Sequence, residues 1–343
     1  MDLISGASLA DYSTMHLGGK VAYVTTIRSR MELLEALSWA QGQTLPVIMI
    51  GGGSNIVWQD AGFPGLLIVN KIERYEAFNE DDENCYITAG AGENWDSVVE
   101  RTVQAGLTGI EALSLIPGST GATPVQNVGA YGQEIAQTLT TVEAFDTKVG
   151  DFVNIPASDC GFGYRMSRFK TVDHGRFYIT AITLHLTKGN PQPPFYGALQ
   201  TYLEAQKITQ VTPQIIRDAV MAIRTAKLPD PAVINNTGSF FANPIVTEEQ
   251  YGYIAENYDP VPHWSVGIGS VKLSAAWLIE QAGFKDYHDE ETGMATWPRQ
   301  PLVLINEHAK HTADLLAFKQ KIIAAVQQRF GITLEQEPEM LPA

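Results

Sequence analysis

Two loops carry the residue types best suited to chemistry. The first is GGGSN, Gly51 to Asn55, which leaves an apolar run, LPVIMI, at Leu45 to Ile50. Glycines at such a place let backbone N–H groups approach an anion such as a pyrophosphate with no side chain in the way. The loop lacks both the G-x-G-x-x-G spacing and the lysine of a P-loop, so taken alone it reads as a plain turn. The second is IPGSTGATPVQNVGAYG, Ile116 to Gly132, inside a stretch from Gly109 to Glu134 that is full of helix and strand breakers and poor in charge. A run of turns this apolar lies against something other than water and suggests a ligand groove. Two small-residue loops could enclose an extended dinucleotide from both sides, and Ser54, Asn55, Ser119, Thr120, Gln126 and Asn127 add side-chain donors.

Other clusters carry less. His308 and His311 stand three apart beside Glu307, but HAKH precedes a helical pattern and reads as an exposed helix start rather than a metal site. Cys85 and Cys160 are far apart, with no CxxC and no nearby His, which gives neither a disulfide framework nor a zinc site. No metal is expected.

The elements that must position the loops follow from periodicity and end signals. The first part reads β-α-β: VAYVTTI at Val21 to Ile27, a helix, then LPVIMI. Ser29 and Glu32 form a capping box, Leu33, Leu34 and Leu37 give an apolar stripe, and Gly42 marks the turn. LLIV at Leu66 to Val69 reads as a strand, and the acidic NEDDEN at Asn79 to Asn84 as a solvated hairpin loop between IERYEAF and CYITAG. A helix from Asn94 through Val103 stops at Gly106. Strands TTVEAFDT, DFVNIP and FYITAITLHL follow, the last with period-two alternation, and then a Pro-rich stretch, GNPQPPFYGAL. The prolines and turn residues of LPDPAVINNTG, Leu228 to Gly238, mark a domain junction. Beyond it, SVKLSAAWLIEQAG reads as a helix capped by Ser270 and ended at Gly283, PLVLIN as a buried strand, and Ala313 to Phe330 as an amphipathic helix ended by Gly331.

Composition bounds the function. The 343 residues are 45% hydrophobic and 18% charged, a globular composition with length for about two domains. With 38 acidic against 23 basic residues, net −15, the chain as a whole repels nucleic acid and anionic membrane, so any phosphate ligand must be held locally. No apolar run approaches the ~18 residues of a membrane span. MDLISGASLADYS has no secretory features, which sets a cytoplasmic expectation.

Read together, GGGSN and IPGSTGATPVQNVGAYG resemble the flavin-binding signature of the UDP-N-acetylenolpyruvoylglucosamine reductases, a family of bacterial peptidoglycan precursor synthesis. STMHLGGKVAY resembles the family's opening segment, FGYRMSRFK its arginine motif, KLPDP and GSFFANP its junction and serine motifs, SVKLSAAWLIEQAG its substrate-domain helix, and LEQEP its terminal glutamate motif. PPFYGAL resembles the tyrosine loop of the type I branch. The resemblance implies an α+β fold with a two-part FAD-binding region of the vanillyl-alcohol-oxidase (PCMH) type plus a smaller α+β substrate-binding domain. On this reading residues 1–227 bind FAD, 228–330 bind substrate, and the tail 331–343 returns to the active site.

It also implies a reaction and residue roles. NADPH reduces a non-covalent FAD, and a hydride then passes to the enolpyruvyl group of UDP-N-acetylglucosamine enolpyruvate, giving UDP-N-acetylmuramate. By motif position the FAD contacts are Gly51, Gly52, Gly53, Ser54, Asn55, Ile116, Pro117, Gly118, Ser119, Gly121, Ala122, Gln126, Asn127, Gly129, Ala130 and Tyr131. Arg165 supplies the fixed cation for the enolate that must accumulate, a planar fork suited to a carboxylate. Ser239 supplies the proton, since the intermediate is a far stronger base than any resting side chain. Glu337 assists at the enolate, with Glu335 and Glu339 as competing registers. Tyr196 closes over the nucleotide, Lys227 and Lys272 meet the diphosphate or lie near it, and Asn243 and Gln300 are further substrate contacts. Ala242 departs from the lysine common in the serine motif. The residues also leave room for another FAD oxidoreductase of the same fold, or for a nucleotide-binding descendant without turnover.

Overall fold

The computed structural model describes residues 1–258 and 260–342. Two compact units interleave along the chain: Met1–Ala7, Val21–Gly52 and Pro64–Ala226 make the first, and Ser8–Lys20, Gly53–Phe63 and everything described from Lys227 onward the second. The change of unit at Lys227 falls one residue from the boundary read from sequence, while 8–20 and 53–63 join the second unit.

In the first unit, the strands Ile4–Ser5, Val21–Ile27, Phe63–Asn70 and Val47–Ile50 form one sheet in that order, with the last pair parallel. A parallel pair needs a crossover, which residues 51–62, with the strand Ile56–Trp58, supply, while the helix Arg30–Gly42 connects Val21–Ile27 to Val47–Ile50. Half of the expected capping box forms: the Glu32 N–H donates to Ser29 Oγ at 3.1 Å, but the Glu32 carboxylate accepts from the Arg28 N–H, one residue before the N-cap, rather than from Ser29. Leu33, Ala36 and Ala40 bury against Leu66 and Ile68.

A second sheet runs Asp151–Pro156, Leu139–Asp146, Phe177–Lys188, Asn84–Gly90, Tyr75–Phe78, all antiparallel, with Leu107–Thr108 also on the central strand. Asn79 to Asn84 is the hairpin loop expected of an acidic run, closed by Asp81, whose carboxylate accepts from the Glu83 and Asn84 N–H groups. One face of this sheet packs on the helix Trp95–Gln104 through Ile87, Ile182, Leu184, Val98 and Val99. Asn94 caps that helix, accepting from the Ser97 N–H at 3.0 Å, and Gly106 follows it at φ 72. The breaker-rich stretch forms short 3-10 turns, at Glu111–Leu113 and Thr120–Ala122, and a small hairpin. Three helices lie outside the sequence reading, Gly197–Ala205, Pro213–Lys227 and, in the second unit, Glu248–Asn257; the second starts at its proline, and Thr247 caps the third by accepting from the Gln250 N–H.

The second unit holds a sheet ordered Asn236–Ser239, Gln300–Asn306, Met294–Trp297, His288–Asp289, and a smaller one ordered Ile245–Thr247, Ser270–Leu273, His263–Ser265. The helix Thr312–Phe330 buries Leu315, Phe318 and Ile322 in a core shared with Phe240, Phe241 and Leu278. Gly331 ends it at φ 68 as expected, and His311 starts it from an exposed position. One expectation is corrected: Ser270 does not cap a helix. SVKL is a strand, Val271 and Leu273 facing the core, and Ser274 caps the shorter helix Ala275–Gln281 by accepting from the Trp277 N–H. Both stretches offered a serine before an apolar run, and strand pairing on both sides of SVKL decided between them.

Candidate active site

The two glycine loops meet within the first unit, and their packing explains their composition. A Cβ on Gly51 would lie 1.7 Å from Ser119 Oγ, and one on Gly52 would lie 3.1 Å from Gly118 Cα. Gly51 has no room for a side chain as the loops stand, and at Gly52 the neighbouring backbone would have to give by a few tenths of an ångström. Gly53, already in the second unit, takes φ 67, and a Cβ there would meet the Tyr12 carbonyl oxygen at 2.4 Å. The loops therefore form a cradle lined by bare backbone, as close approach to a pyrophosphate demands. That cradle fits a dinucleotide cofactor.

The second loop is held from beneath. The Trp95 N–H donates to the Gly118 carbonyl at 3.1 Å, Thr120 N–H to Glu93 at 2.9 Å and Gly121 N–H to Ala91 at 2.9 Å. Further on, Gly129–Ala130 and Gln133–Glu134 pair across a two-residue turn in which Tyr131 and Gly132 both have positive φ, 49° and 88°, the geometry of a type I′ hairpin. Tyr131 packs edge-on against Tyr196, ring centroids 6.0 Å apart. Tyr196 itself stands exposed at the start of the helix Gly197–Ala205. Asn127 is buried at φ 47, its amide bonded within the protein to Glu134, Gly163 and Ala136. Ser54, Asn55, Pro117 and Gln126 all have partners within the protein.

Arg165 sits in the left-handed region, φ 54, at the tip of a turn closed by reciprocal hydrogen bonds between Gly163 and Met166. Its Nη2 donates to the Gly129 carbonyl at 2.8 Å, which brings the arginine motif onto the flavin-signature loop. A bulky residue at positive φ is costly and needs a reason. Its neighbour Arg168 is by contrast a structural cation, paired with Asp173 at 2.6 Å.

In the second unit, Ser239 ends the strand Asn236–Ser239 half-buried, directly after Gly238 at φ 72. The chain continues through Phe240 and Phe241, both buried, and the C-terminal segment pairs with it there: the Glu337 N–H donates to the Phe240 carbonyl at 3.0 Å. Glu339 belongs to another ladder, parallel to Ile56–Trp58, its N–H on the Asn55 carbonyl. Asn243 Oδ1 accepts from the Ala275 N–H at 2.9 Å, and Lys272 on the adjoining strand lies 5.8 Å from the ring of half-exposed Trp264. Gln300 opens the strand Gln300–Asn306, opposite Trp297, whose indole donates to the Lys227 carbonyl.

Sequence reasoning missed the supports. Asp96 and Arg217 form a bidentate pair at 2.6 and 2.9 Å, and Asp96 also accepts from the Leu115 N–H. Burial alone would raise the Asp96 carboxyl, but Arg217 and the Leu115 N–H outweigh it and hold it below the usual carboxylate range. Arg224 donates to the Leu115 carbonyl at 3.2 Å and hydrogen-bonds to Tyr131, whose phenol burial pushes up. No local pattern ties Asp96 to Arg217 across so much sequence. Among the described residues no group of three or more His, Cys, Asp or Glu forms a metal cluster, and no helix is long and apolar enough to cross a membrane.

The comparisons with known proteins agree with this geometry. A family model described as FAD binding domain matches residues 21–155, and one described as UDP-N-acetylenolpyruvoylglucosamine reductase, C-terminal domain, matches residues 230–341. The chain is 39% identical over 333 residues to the UDP-N-acetylenolpyruvoylglucosamine reductase of Cupriavidus pinatubonensis, covering 97% of each. It is 37% identical over 336 residues to that of Escherichia coli, covering 98% of this chain and 96% of the other. The crystal structure of the reductase from Thermus caldophilus shares the fold, with TM-score 0.67 at 22% identity over 99% and 98% of the two chains. Cradle, motif order and full-length similarity agree: this chain belongs to the UDP-N-acetylenolpyruvoylglucosamine reductase family, with an α+β, FAD-binding architecture.

Proposed function

We propose that this protein reduces UDP-N-acetylglucosamine enolpyruvate to UDP-N-acetylmuramate with electrons from NADPH, in the cytoplasm, as a step of peptidoglycan precursor synthesis. The observation that carries the reading is the C-terminal segment's return to the serine motif, where Glu337 pairs with Phe240 next to Ser239, in a chain of this family. FAD, reduced by NADPH, supplies the hydride when bound.

The chain's own residues do the rest. Gly51, Gly52, Gly53 and Gly118 leave the backbone bare toward the pyrophosphate, and Ser54, Asn55, Ile116, Pro117, Ser119, Gly121, Ala122, Gln126, Gly129, Ala130 and Tyr131 complete the two loops, while the Asn127 amide is bonded inside the protein and holds the second loop rather than the cofactor. Arg165 holds the substrate carboxylate and stabilises the enolate as negative charge develops on it. Ser239 Oγ delivers a proton to the carbon beside that carboxylate. Glu337, as the carboxylic acid, donates a hydrogen bond to the enolate. Lys227 and Lys272 supply the local cations that a chain of net charge −15 needs for a diphosphate, Tyr196 covers the nucleotide, and Asn243 and Gln300 orient the sugar. With Ala242 in place of a lysine in the serine motif, substrate affinity depends less on salt than the lysine would make it.

The test is the visible spectrum of the purified protein, followed anaerobically by NADPH and then by UDP-N-acetylglucosamine enolpyruvate. Bleaching by NADPH and return of the flavin bands with the sugar nucleotide is the expected result. A yellow protein that bleaches but ignores the sugar nucleotide keeps the cofactor and loses the substrate.

A further inference from the structure

Three side-chain hydrogen bonds stitch segment 125–129 to segment 163–167. Ser167 Oγ donates to the Val125 carbonyl at 2.5 Å, Asn127 Nδ2 to the Gly163 carbonyl at 3.1 Å, and Arg165 Nη2 to the Gly129 carbonyl at 2.8 Å. Asn127 is the middle stitch and the most committed. It is 2% exposed. Its Nδ2 also donates to Glu134 Oε2 at 2.9 Å, and its Oδ1 accepts from the Ala136 N–H at 3.1 Å. An amide has two N–H donors, and both are used inside the protein, so the side chain has none to offer a cofactor.

What Asn127 holds is informative. Gly163 is the first residue of the turn that carries Arg165 at φ 54. Glu134 stands opposite Gly129 in the small hairpin, and Gly129 is the residue on whose carbonyl the Arg165 guanidinium rests. One buried amide thus fixes both the base of the arginine turn and the strand that receives the guanidinium. We propose that Asn127 is a positioning residue for Arg165, acting through Gly163 and Glu134 rather than through the cofactor. This inference rests on the role given above to Arg165. A guanidinium that must meet a carboxylate bidentately tolerates little misplacement, and about 1 Å of error costs on the order of 100-fold in rate.

Asn127→Gly keeps the left-handed backbone free of strain while removing the amide. FAD affinity and the rate of FAD reduction by NADPH stay within about twofold of wild type, while reoxidation by UDP-N-acetylglucosamine enolpyruvate falls between about 10- and 100-fold. Hydrogen exchange of the apoprotein, a readout independent of turnover, accelerates in residues 127–136 and 163–167. Combined with Arg165→Lys, the two losses do not multiply, as expected for groups acting as one. If Asn127→Gly does not fold, Asn127→Asp with Glu134→Gln restores the link between positions 127 and 134 and leaves only the Gly163 contact broken, with the same rate pattern expected. Loss of FAD affinity with unchanged exchange at 163–167, or losses that multiply with Arg165→Lys, overturns the proposal. Normal reoxidation by Arg165→Lys alone would sink the role of Arg165 instead, and the exchange result would still show whether Asn127 holds the turn.

Discussion

Glu337 lies opposite Phe240. Its N–H donates to the Phe240 carbonyl at 3.0 Å while the Ala242 N–H donates to the Glu335 carbonyl at 2.9 Å, so the C-terminal segment runs antiparallel to the chain leaving Ser239. This register sets Glu337 apart from its two competing registers, Glu335 and Glu339. Glu335 is exposed beside Ala242, and Glu339 is paired with Ile56 in a parallel ladder. Glu337 is the acid whose backbone is bonded nearest to Ser239 along the serine motif.

The ranking of glutamate variants follows from that register. Glu337→Gln slows reoxidation of the reduced flavin by substrate by about 100-fold or more, the usual range for losing a group at the reacting atoms, while Glu339→Gln stays within a few-fold of wild type. Single-turnover absorbance measures both. The reverse order would move the assignment to Glu339.

Ser239→Ala separates the half-reactions. Without the hydroxyl, the FAD of the variant is still bleached by NADPH at the wild-type rate, and the bands return on adding substrate at least about 100-fold more slowly. Turnover at the normal rate would remove Ser239 from the mechanism. Because Ser239 is half-buried at a strand end, the thermal midpoint moves little.

How much of this was legible in the sequence follows a physical line. Elements with local end signals were readable: Ser29 with Glu32, Asn94 with Gly106, and Gly331 after Phe330 all act within a few residues. The glycine loops were readable as chemistry because close approach leaves a composition behind. Ser270 was misread because a cap signal is only as good as its context, and strand partners at Ile245–Thr247 and His263–Ser265 lie outside it. Asp96 with Arg217, 121 residues on, and Asn127 with Gly163 were invisible for the same reason, since long-range pairs leave no periodicity. The interleaving of 8–20 and 53–63 with the second unit belongs to that class too.

Gly51 tests the cradle. In Gly51→Ala the new methyl would fall 1.7 Å from Ser119 Oγ and 2.8 Å from Ser119 Cβ, so the two loops must part. FAD affinity drops by about 10-fold or more, read by titrating the apoprotein. Gly106→Ala is the control: its φ is 72 and nothing lies within 4 Å of the new methyl, so it costs about 1 kcal/mol of stability with FAD affinity unchanged. Equal effects of the two on FAD would mean that loop contact does not matter.

Asp146 gives the acid limb of stability a named source. Arg176 grips its carboxylate through two hydrogen bonds, at 2.9 and 2.6 Å, and the Lys148 N–H adds a third. The Arg176 bonds, against the pull of burial, hold its pKa down at about 2 from an ordinary 3.8. A carboxyl lowered in the folded state stabilises fully above its unfolded value, and that contribution drains as pH falls through 3.8 toward 2. Asp146→Asn is therefore less stable than wild type at pH 6, and the gap narrows to roughly half by pH 3. Urea midpoints at the two pH values decide it. A gap that stays constant across that window would show that Asp146 holds its neighbours by packing alone, with its charge contributing nothing.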